Sequence, residues 1–108
     1  MGENFWIQDF ETRTDRLRVH FITKGGYVKS IIVVQYEAYI DGQWCPIVRF
    51  DEAHGFFHRD VISPSGAQEK TAQPERDKGI ALTEAVAEIK RQWQSYRRVY
   101  EEKYYGKK

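Results

Sequence analysis

Apolar and polar residues alternate along the first two thirds of the chain with the period of two that β-strands impose. In the segment 16–23 every second position is apolar, at Leu17, Val19 and Phe21. The segment 30–40 is rich in β-branched and aromatic residues and predicts a long central strand with apolar groups on both faces. Both segments are therefore interpreted as neighbouring strands of one sheet.

Asp41-Gly42 predicts a type I′ hairpin, because both central residues of that turn need positive φ. Counting back from the turn gives three cross-strand pairs: Tyr39 with Trp44, Gln35 with Val48, and Val34 with Arg49. Pro46 cannot donate a hydrogen bond to a neighbouring strand. We therefore expect a bulge or a sheet edge at Pro46.

Further along, 57–62 and 67–71 predict a fourth and a fifth strand, separated by the type I turn Ser63-Pro64-Ser65-Gly66. With a bulge at Gly66, Asp60 faces Lys70 across these strands. The first dozen residues are ambiguous between a strand and a short amphipathic turn, and 73–79 is interpreted as a polar loop.

The C-terminal quarter changes to the helical period of three and four residues. The apolar stripe consists of Leu82, Val86, Ile89, Trp93, Tyr96, Tyr100 and Tyr104. Thr83 is the expected N-cap, although the helix can begin at Ile80 or Ala81. The sequence thus predicts one α+β domain over 1–108, with a four- or five-stranded antiparallel meander and one long amphipathic helix on one face.

The distribution of charge, the single cysteine and the lack of a long apolar run limit the class of protein. Residues 1–81 carry ten Lys and Arg against twelve Asp and Glu, whereas residues 82–108 carry seven against four. Cys45 is the single cysteine, which excludes an internal disulfide and a cysteine-based zinc cage. A small domain without disulfides points to a reducing compartment, so we expect a cytoplasmic protein. No apolar run approaches the roughly 20 residues needed to span a bilayer, so we expect no membrane association.

The segment 49–60 concentrates the candidate chemistry. Asp51, His54, His58 and Asp60 are residue types that can bind a hard or borderline divalent metal. Their spacing places His54 in a loop and His58 on a strand, which does not by itself make them converge. We therefore expect no metal cofactor, with a metal site kept as an alternative and local hydrogen bonding as the plainer explanation.

The same segment suits metal-independent cleavage of RNA. That reaction needs a base for the 2′-hydroxyl, an acid for the leaving oxygen and cations on the phosphate. His54 and His58 are the candidate acid–base pair, with Asp51 beside them, and Arg49 and Lys70 are the candidate phosphate contacts. Arg59 should point to the opposite face from His58. The plainer interpretation is an ordinary cross-strand ion pair between Asp60 and Lys70.

The tyrosines Tyr96, Tyr100 and Tyr104 lie on the helix stripe, so core packing explains them most simply. The stripe is long compared with the expected sheet, and its surplus aromatic surface is a candidate site for a partner protein or a second copy. We therefore predict a homodimer or a protein partner bound through these tyrosines.

Two segments, YEAYIDG at 36–42 and VRFDEAHG at 48–55, followed by another histidine, resemble the small TumE-type proteins, which are toxin components of prokaryotic toxin–antitoxin pairs. The resemblance covers about residues 33–62. It implies an RNA-directed toxin with a cognate antitoxin, and Arg49, Asp51, His54 and His58 as the matching functional residues. Phe56-Phe57 departs from the more polar spacing of that group.

The leading hypothesis is therefore a small prokaryotic toxin–antitoxin-type protein acting as a metal-independent ribonuclease. The competing hypothesis is a non-enzymatic module that dimerises or binds a partner. A metal-binding domain is the third.

Overall fold

The computed structural model describes residues 1–53 and 55–106. It contains one antiparallel sheet and one helix, in the order β1 (Gly2–Asp9), β2 (Asp15–Lys24), β3 (Tyr27–Ile40), β4 (Gln43–Asp51), β5 (His58–Ile62), β6 (Gln68–Ala72) and α1 (Lys78–Tyr105). The strands lie side by side in chain order, so the sheet is a meander. The predicted α+β class is confirmed, with six strands rather than four or five.

The additional strand is β1, the N-terminal segment that the sequence left ambiguous. It pairs with β2 at one edge of the sheet, and all but one of its residues are exposed. Three consecutive apolar residues, Phe5, Trp6 and Ile7, interrupt the alternation that normally marks a half-buried strand. This segment is a strand because β2 offers it backbone hydrogen bonds rather than because one of its faces is buried.

Helix α1 covers one face of the sheet and packs against β3 and β4. Its predicted stripe is confirmed: Leu82, Ile89 and Tyr100 are buried, and Val86, Trp93, Tyr96 and Tyr104 pack against the core. The sheet side of this core comes chiefly from alternate residues of β2, β3 and β4, namely Leu17, Val19, Val34, Tyr36, Ala38, Val48 and Phe50.

The helix begins earlier than predicted. Asp77 is its N-cap, and the Asp77 side chain accepts a hydrogen bond from the Ile80 amide at 3.2 Å. Thr83 is not a cap, because its hydroxyl lies inside the helix and donates to the Gly79 carbonyl at 3.0 Å. The prediction was wrong because Gly79 was assigned to the loop. A glycine in the first turn is tolerated when an aspartate N-cap stands before that turn, as Asp77 does here.

A bulge in β4 sets the register of the central hairpin. Near the turn Tyr39 pairs with Trp44, as predicted, and Asp41 and Gly42 both have positive φ. Ile47, directly after Pro46, is then an extra residue, and beyond it Gln35 pairs with Arg49 and Val34 with Phe50. The predicted pairs Gln35 with Val48 and Val34 with Arg49 are therefore wrong by one residue. A one-residue shift exchanges the faces of a strand, so the bulge turns Phe50 toward the helix and Arg49 away from it.

The hairpin of β5 and β6 follows its prediction. Gly66 has φ of 90° and closes the turn that begins at Ser63, whose carbonyl accepts from the Gly66 amide at 2.8 Å. Asp60 then pairs with Lys70. These two turns fix the alignment of β3 with β4 and of β5 with β6.

Candidate functional site on the open face

The sheet face opposite α1, called here the open face, carries a line of mostly polar residues. Consecutive strand pairings connect them across all six strands in the order Ile7, Arg18, Gln35, Arg49, Asp60 and Lys70. We call this line the cross-sheet row. Because α1 packs on the other face, no further layer covers this row within residues 1–53 and 55–106.

Glu37 organises the half of the open face nearest β2. Its two carboxylate oxygens accept hydrogen bonds from Nε of Arg16 at 2.6 Å and from Nε of Arg18 at 2.9 Å. The Gln35 amide donates a third. Burial alone would raise the pKa of Glu37, but these three hydrogen bonds outweigh burial and lower it. Glu37 is thus a buried carboxylate held in its charged form.

Gln35 links this carboxylate to the other half of the face. Its side-chain oxygen accepts from Nε of Arg49 at 2.7 Å while its nitrogen donates to Glu37. The Arg16 guanidinium lies 3.8 Å from the centroid of the Trp44 ring, which gives a cation–π contact. The arginine side chains therefore lie along the sheet instead of extending into solvent.

His58, Asp51, Asp60 and Lys70 form a compact group at the far end of the open face, called here the histidine cluster. Nε2 of His58 lies 3.0 Å from Oδ1 of Asp51 and 3.3 Å from Oδ2 of Asp60. The Lys70 ammonium lies 3.0 Å from the same Nε2 and 3.1 Å from Oδ1 of Asp60. The Lys70 ammonium is thus held between the Asp60 carboxylate and the His58 imidazole.

The tautomer of His58 follows from its other nitrogen. Nδ1 lies 3.2 Å from the carbonyl oxygen of Phe56, which can only accept, so Nδ1 carries the proton and donates. In the neutral ring Nε2 then presents a lone pair, which accepts from the Lys70 ammonium. Nε2 of His58 and one oxygen each of Asp51 and Asp60 point at the same small volume.

The cluster is accessible to solvent mainly through Lys70. His58 is 1% exposed and Asp60 3%, whereas the Lys70 side chain is 38% exposed. A molecule on the open face meets the lysine first, and it reaches Nε2 of His58 only when the lysine side chain moves aside.

The sequence-predicted residues Arg49, Asp51, His58 and Lys70 therefore share one face and one end of the sheet. Arg59 points to the opposite face, as expected, where it donates to Glu88 and to Tyr96 at 3.1 Å each. His54, the other half of the predicted acid–base pair, lies outside the described residues.

The predicted partner-binding tyrosines are placed on the side of α1 that faces the sheet. Tyr100 is buried in the core, and the Tyr104 hydroxyl donates to Asp41 near the β3–β4 turn. The Tyr96 hydroxyl donates to Glu88, and burial together with that carboxylate raises its pKa to about 12. Packing within the chain accounts for these positions, and a role in partner binding stays a prediction.

Sequence reasoning missed Arg16, Arg18, Gln35 and Glu37. It treated β3 as apolar on both faces, whereas Gln35 and Glu37 are two polar residues at alternate positions of a buried strand. That pair was the available signal, because a buried carboxylate needs cations from neighbouring strands. The basic residues of β2, which the alternation places on the outer side, supply them.

A family model matches residues 1–105 of the chain, and its description is Domain of unknown function (DUF7718). The chain belongs to this family. No curated protein and no solved structure matches the chain. In residues 1–53 and 55–106 no helix has both the length and the apolar character needed to cross a membrane.

Proposed function

We propose that this member of the DUF7718 family is a metal-independent ribonuclease of toxin–antitoxin type, which binds RNA on the open face and cleaves it beside Lys70. The observation that carries the proposal is the contact between the Lys70 ammonium and Nε2 of His58 at 3.0 Å. A proton donor and a proton acceptor meet there at the end of the cross-sheet row, in which Arg18, Arg49 and Lys70 are cationic.

The open face offers two kinds of contact that single-stranded RNA uses. Arg18, Arg49 and Lys70 stand in the cross-sheet row and can contact successive phosphates. The rings of Phe5 and Tyr39 lie on the same face and are exposed, so bases can stack on them. Sheet-bound aromatic rings flanked by arginines are a common way of holding unpaired bases.

Cleavage requires the lysine to move from the imidazole to the phosphate. Lys70 then contacts a phosphate oxygen, and Nε2 of His58 accepts the proton of the 2′-hydroxyl as the 2′-oxygen attacks phosphorus. The bond to the 5′-oxygen breaks, and this oxygen takes a proton from Lys70, which leaves a 2′,3′-cyclic phosphate. Asp51 and Asp60 stabilise the imidazolium, and Arg49 supplies fixed positive charge near the phosphate.

The test is cleavage of mixed RNA by purified protein, with and without EDTA. Wild type should cleave equally in both conditions, and His58→Gln and Lys70→Met should each lose about 100-fold or more of the rate. The matched control is His20→Gln, because His20 lies on the same face but on β2, away from the histidine cluster, where it pairs with the exposed Glu3 at 3.4 Å and contacts the Phe5 ring. Circular dichroism of each variant excludes loss of the fold as the cause.

Cleavage that persists at the wild-type rate in His58→Gln would overturn the assignment of the acid–base group. Cleavage abolished by EDTA would overturn the metal-independent mechanism. An antitoxin partner and a cytoplasmic location belong to the same proposal, and relief of growth inhibition by a co-expressed neighbouring gene would test the former.

A second candidate, a homodimeric interaction module, is favoured by the outer edge of β1. Phe5, Trp6 and Ile7 are exposed and consecutive on an edge strand, whose free backbone groups can pair with another strand. Light scattering across a concentration series should show a dimer in wild type and a monomer in Ile7→Lys. Tyr27→Lys, at another exposed apolar position, is the control and should leave the mass unchanged.

A further inference from the structure

The histidine cluster has the geometry of a cation site, and the Lys70 ammonium already contacts two of its three residues, His58 and Asp60. Nε2 of His58 and one oxygen each of Asp51 and Asp60 all lie within 4.8 Å of one another. Ligands of a tetrahedral Zn²⁺ lie about 2.0–2.2 Å from the ion and hence about 3.5 Å from each other. The two separations from Nε2, 3.0 and 3.3 Å, are already close to that value.

We infer that Asp51, His58 and Asp60 bind a borderline divalent cation such as Zn²⁺, which replaces the Lys70 ammonium. One imidazole nitrogen and two carboxylate oxygens suit Zn²⁺ or Mn²⁺. They are too few oxygens for Ca²⁺, which takes six to eight. Three protein ligands leave the remaining position of the ion to water.

Two further observations point to a ligand. Nδ1 of His58 donates to the Phe56 carbonyl, which fixes the tautomer that leaves Nε2 available, as the outer hydrogen bond of a metal-binding histidine does. Oδ1 of Asp60 is buried, and within the described residues it receives no hydrogen bond of good geometry. The Lys70 ammonium, whose Nζ lies 3.1 Å from Oδ1 of Asp60, balances the charge of this oxygen.

Lys70 is suited to be displaced. Its side chain is long and partly exposed, so the ammonium can swing into solvent without any change in the backbone of β6. It carries one positive charge and pairs with only one of the two carboxylates, that of Asp60, whereas a divalent ion carries two charges and can accept electron pairs from all three ligand atoms. The lysine thus holds the cluster together in the absence of metal.

This inference rests on the geometry of the cluster and does not require that the protein acts on RNA. It does have a consequence for the proposed ribonuclease. A metal on Nε2 of His58 prevents that nitrogen from accepting a proton, so Zn²⁺ should inhibit the metal-independent cleavage and EDTA should restore it.

The test is calorimetric titration of the EDTA-treated full chain with ZnCl₂, in the absence of RNA. We expect one ion per chain in wild type, with affinity about tenfold or more lower in His58→Gln and in Asp60→Asn. Lys70→Met should bind about tenfold more tightly, because the competing ammonium is gone. A gain of affinity in Lys70→Met together with a loss in His58→Gln is a combination that a nonspecific surface site does not produce.

His20→Gln is the matched control, since the His20 and Glu3 side chains form the other histidine–carboxylate pair of the described residues, and its affinity should stay within about twofold of wild type. Absence of stoichiometric binding in both wild type and Lys70→Met would overturn the inference, as would binding that His58→Gln leaves unchanged. Because the titration contains no RNA, failure of the ribonuclease proposal would leave this result intact, and the reverse also holds.

Discussion

Tyr36 and Glu37 are neighbours in β3, point to opposite faces of the sheet and are both buried, 0% and 5% exposed, for different physical reasons. Tyr36 is covered by the aromatic rings of Phe10 and Trp93 on the helix side. Glu37 is covered by the arginines that bind it. Apolar burial stabilises a fold directly, whereas buried ion pairs seldom do better than apolar residues of the same volume. The apolar core on the helix-covered face should therefore contribute more to the free energy of unfolding than the ion pairs of the open face.

The largest expected loss of stability comes from a substitution in the apolar core between α1 and the sheet. Ile89 is fully buried between α1 and the sheet, so Ile89→Ala should lower the free energy of unfolding by about 4 kcal/mol. Urea denaturation measures this change. Lys90→Ala, at the exposed next position of the helix, should change it by less than about 0.5 kcal/mol, and a similar loss in both variants would contradict the placement of the core.

Glu37→Gln should have the next largest effect and lower the free energy of unfolding by about 3 kcal/mol near neutral pH, because Arg16 and Arg18 lose the negative charge and one of the two oxygens that they share. The pKa of Glu37 is lowered below its ordinary 4.5 in the folded state. Its stabilising contribution is therefore complete above that value and is lost as the pH falls through the lowered pKa. Urea denaturation of wild type and variant should converge at low pH. A difference that stays constant down to about pH 2 would contradict the charged network.

Lys70→Met should lower stability by about 1 to 2 kcal/mol in metal-free solution, since Asp60 stays buried and loses its cation. A thermal melt with added Zn²⁺ should recover this loss in the variant, because the metal then supplies the missing charge. Recovery by Mg²⁺ at the same concentration would indicate general screening instead of a site.

The smallest effect should be that of Arg18→Gln on RNA binding. Loss of one phosphate contact should reduce the magnitude of the slope of log affinity against log salt concentration by about one. Arg98→Gln, on the exposed outer side of α1, should leave both affinity and slope unchanged. Fluorescence anisotropy with a short single-stranded RNA measures both variants. Equal effects of Arg18→Gln and Arg98→Gln would contradict RNA binding on the open face.

Local patterns were sufficient for much of this architecture. The three- and four-residue spacing from Leu82 to Tyr104 predicted which side of α1 is buried, and Gly66 predicted the pairing of Asp60 with Lys70. These features depend on periodicity and turn geometry within a short stretch of chain, which a single sequence contains.

Other features depend on contacts between distant segments and could not be predicted in the same way. Pro46 indicated a bulge but not which residue would be extra, so the register beyond Ile47 was missed. The grouping of Glu37 with Arg16 and Arg18 requires the pairing of β2 with β3, which no turn residue specifies uniquely. The convergence of Asp51, His58 and Asp60 likewise becomes visible only once β4 and β5 are aligned.

The extra residue at Ile47 also constrains how the length of this protein can vary. Deleting it would remove the bulge and leave the other pairs as they are, so that Arg49 would stay opposite Gln35 on the open face and Phe50 would still face α1. A deletion of one residue between Gly42 and Arg49 can therefore preserve the faces, whereas a deletion of two would exchange them. Relatives that retain the histidine cluster should have either this hairpin length, with a bulge, or one residue fewer, without it.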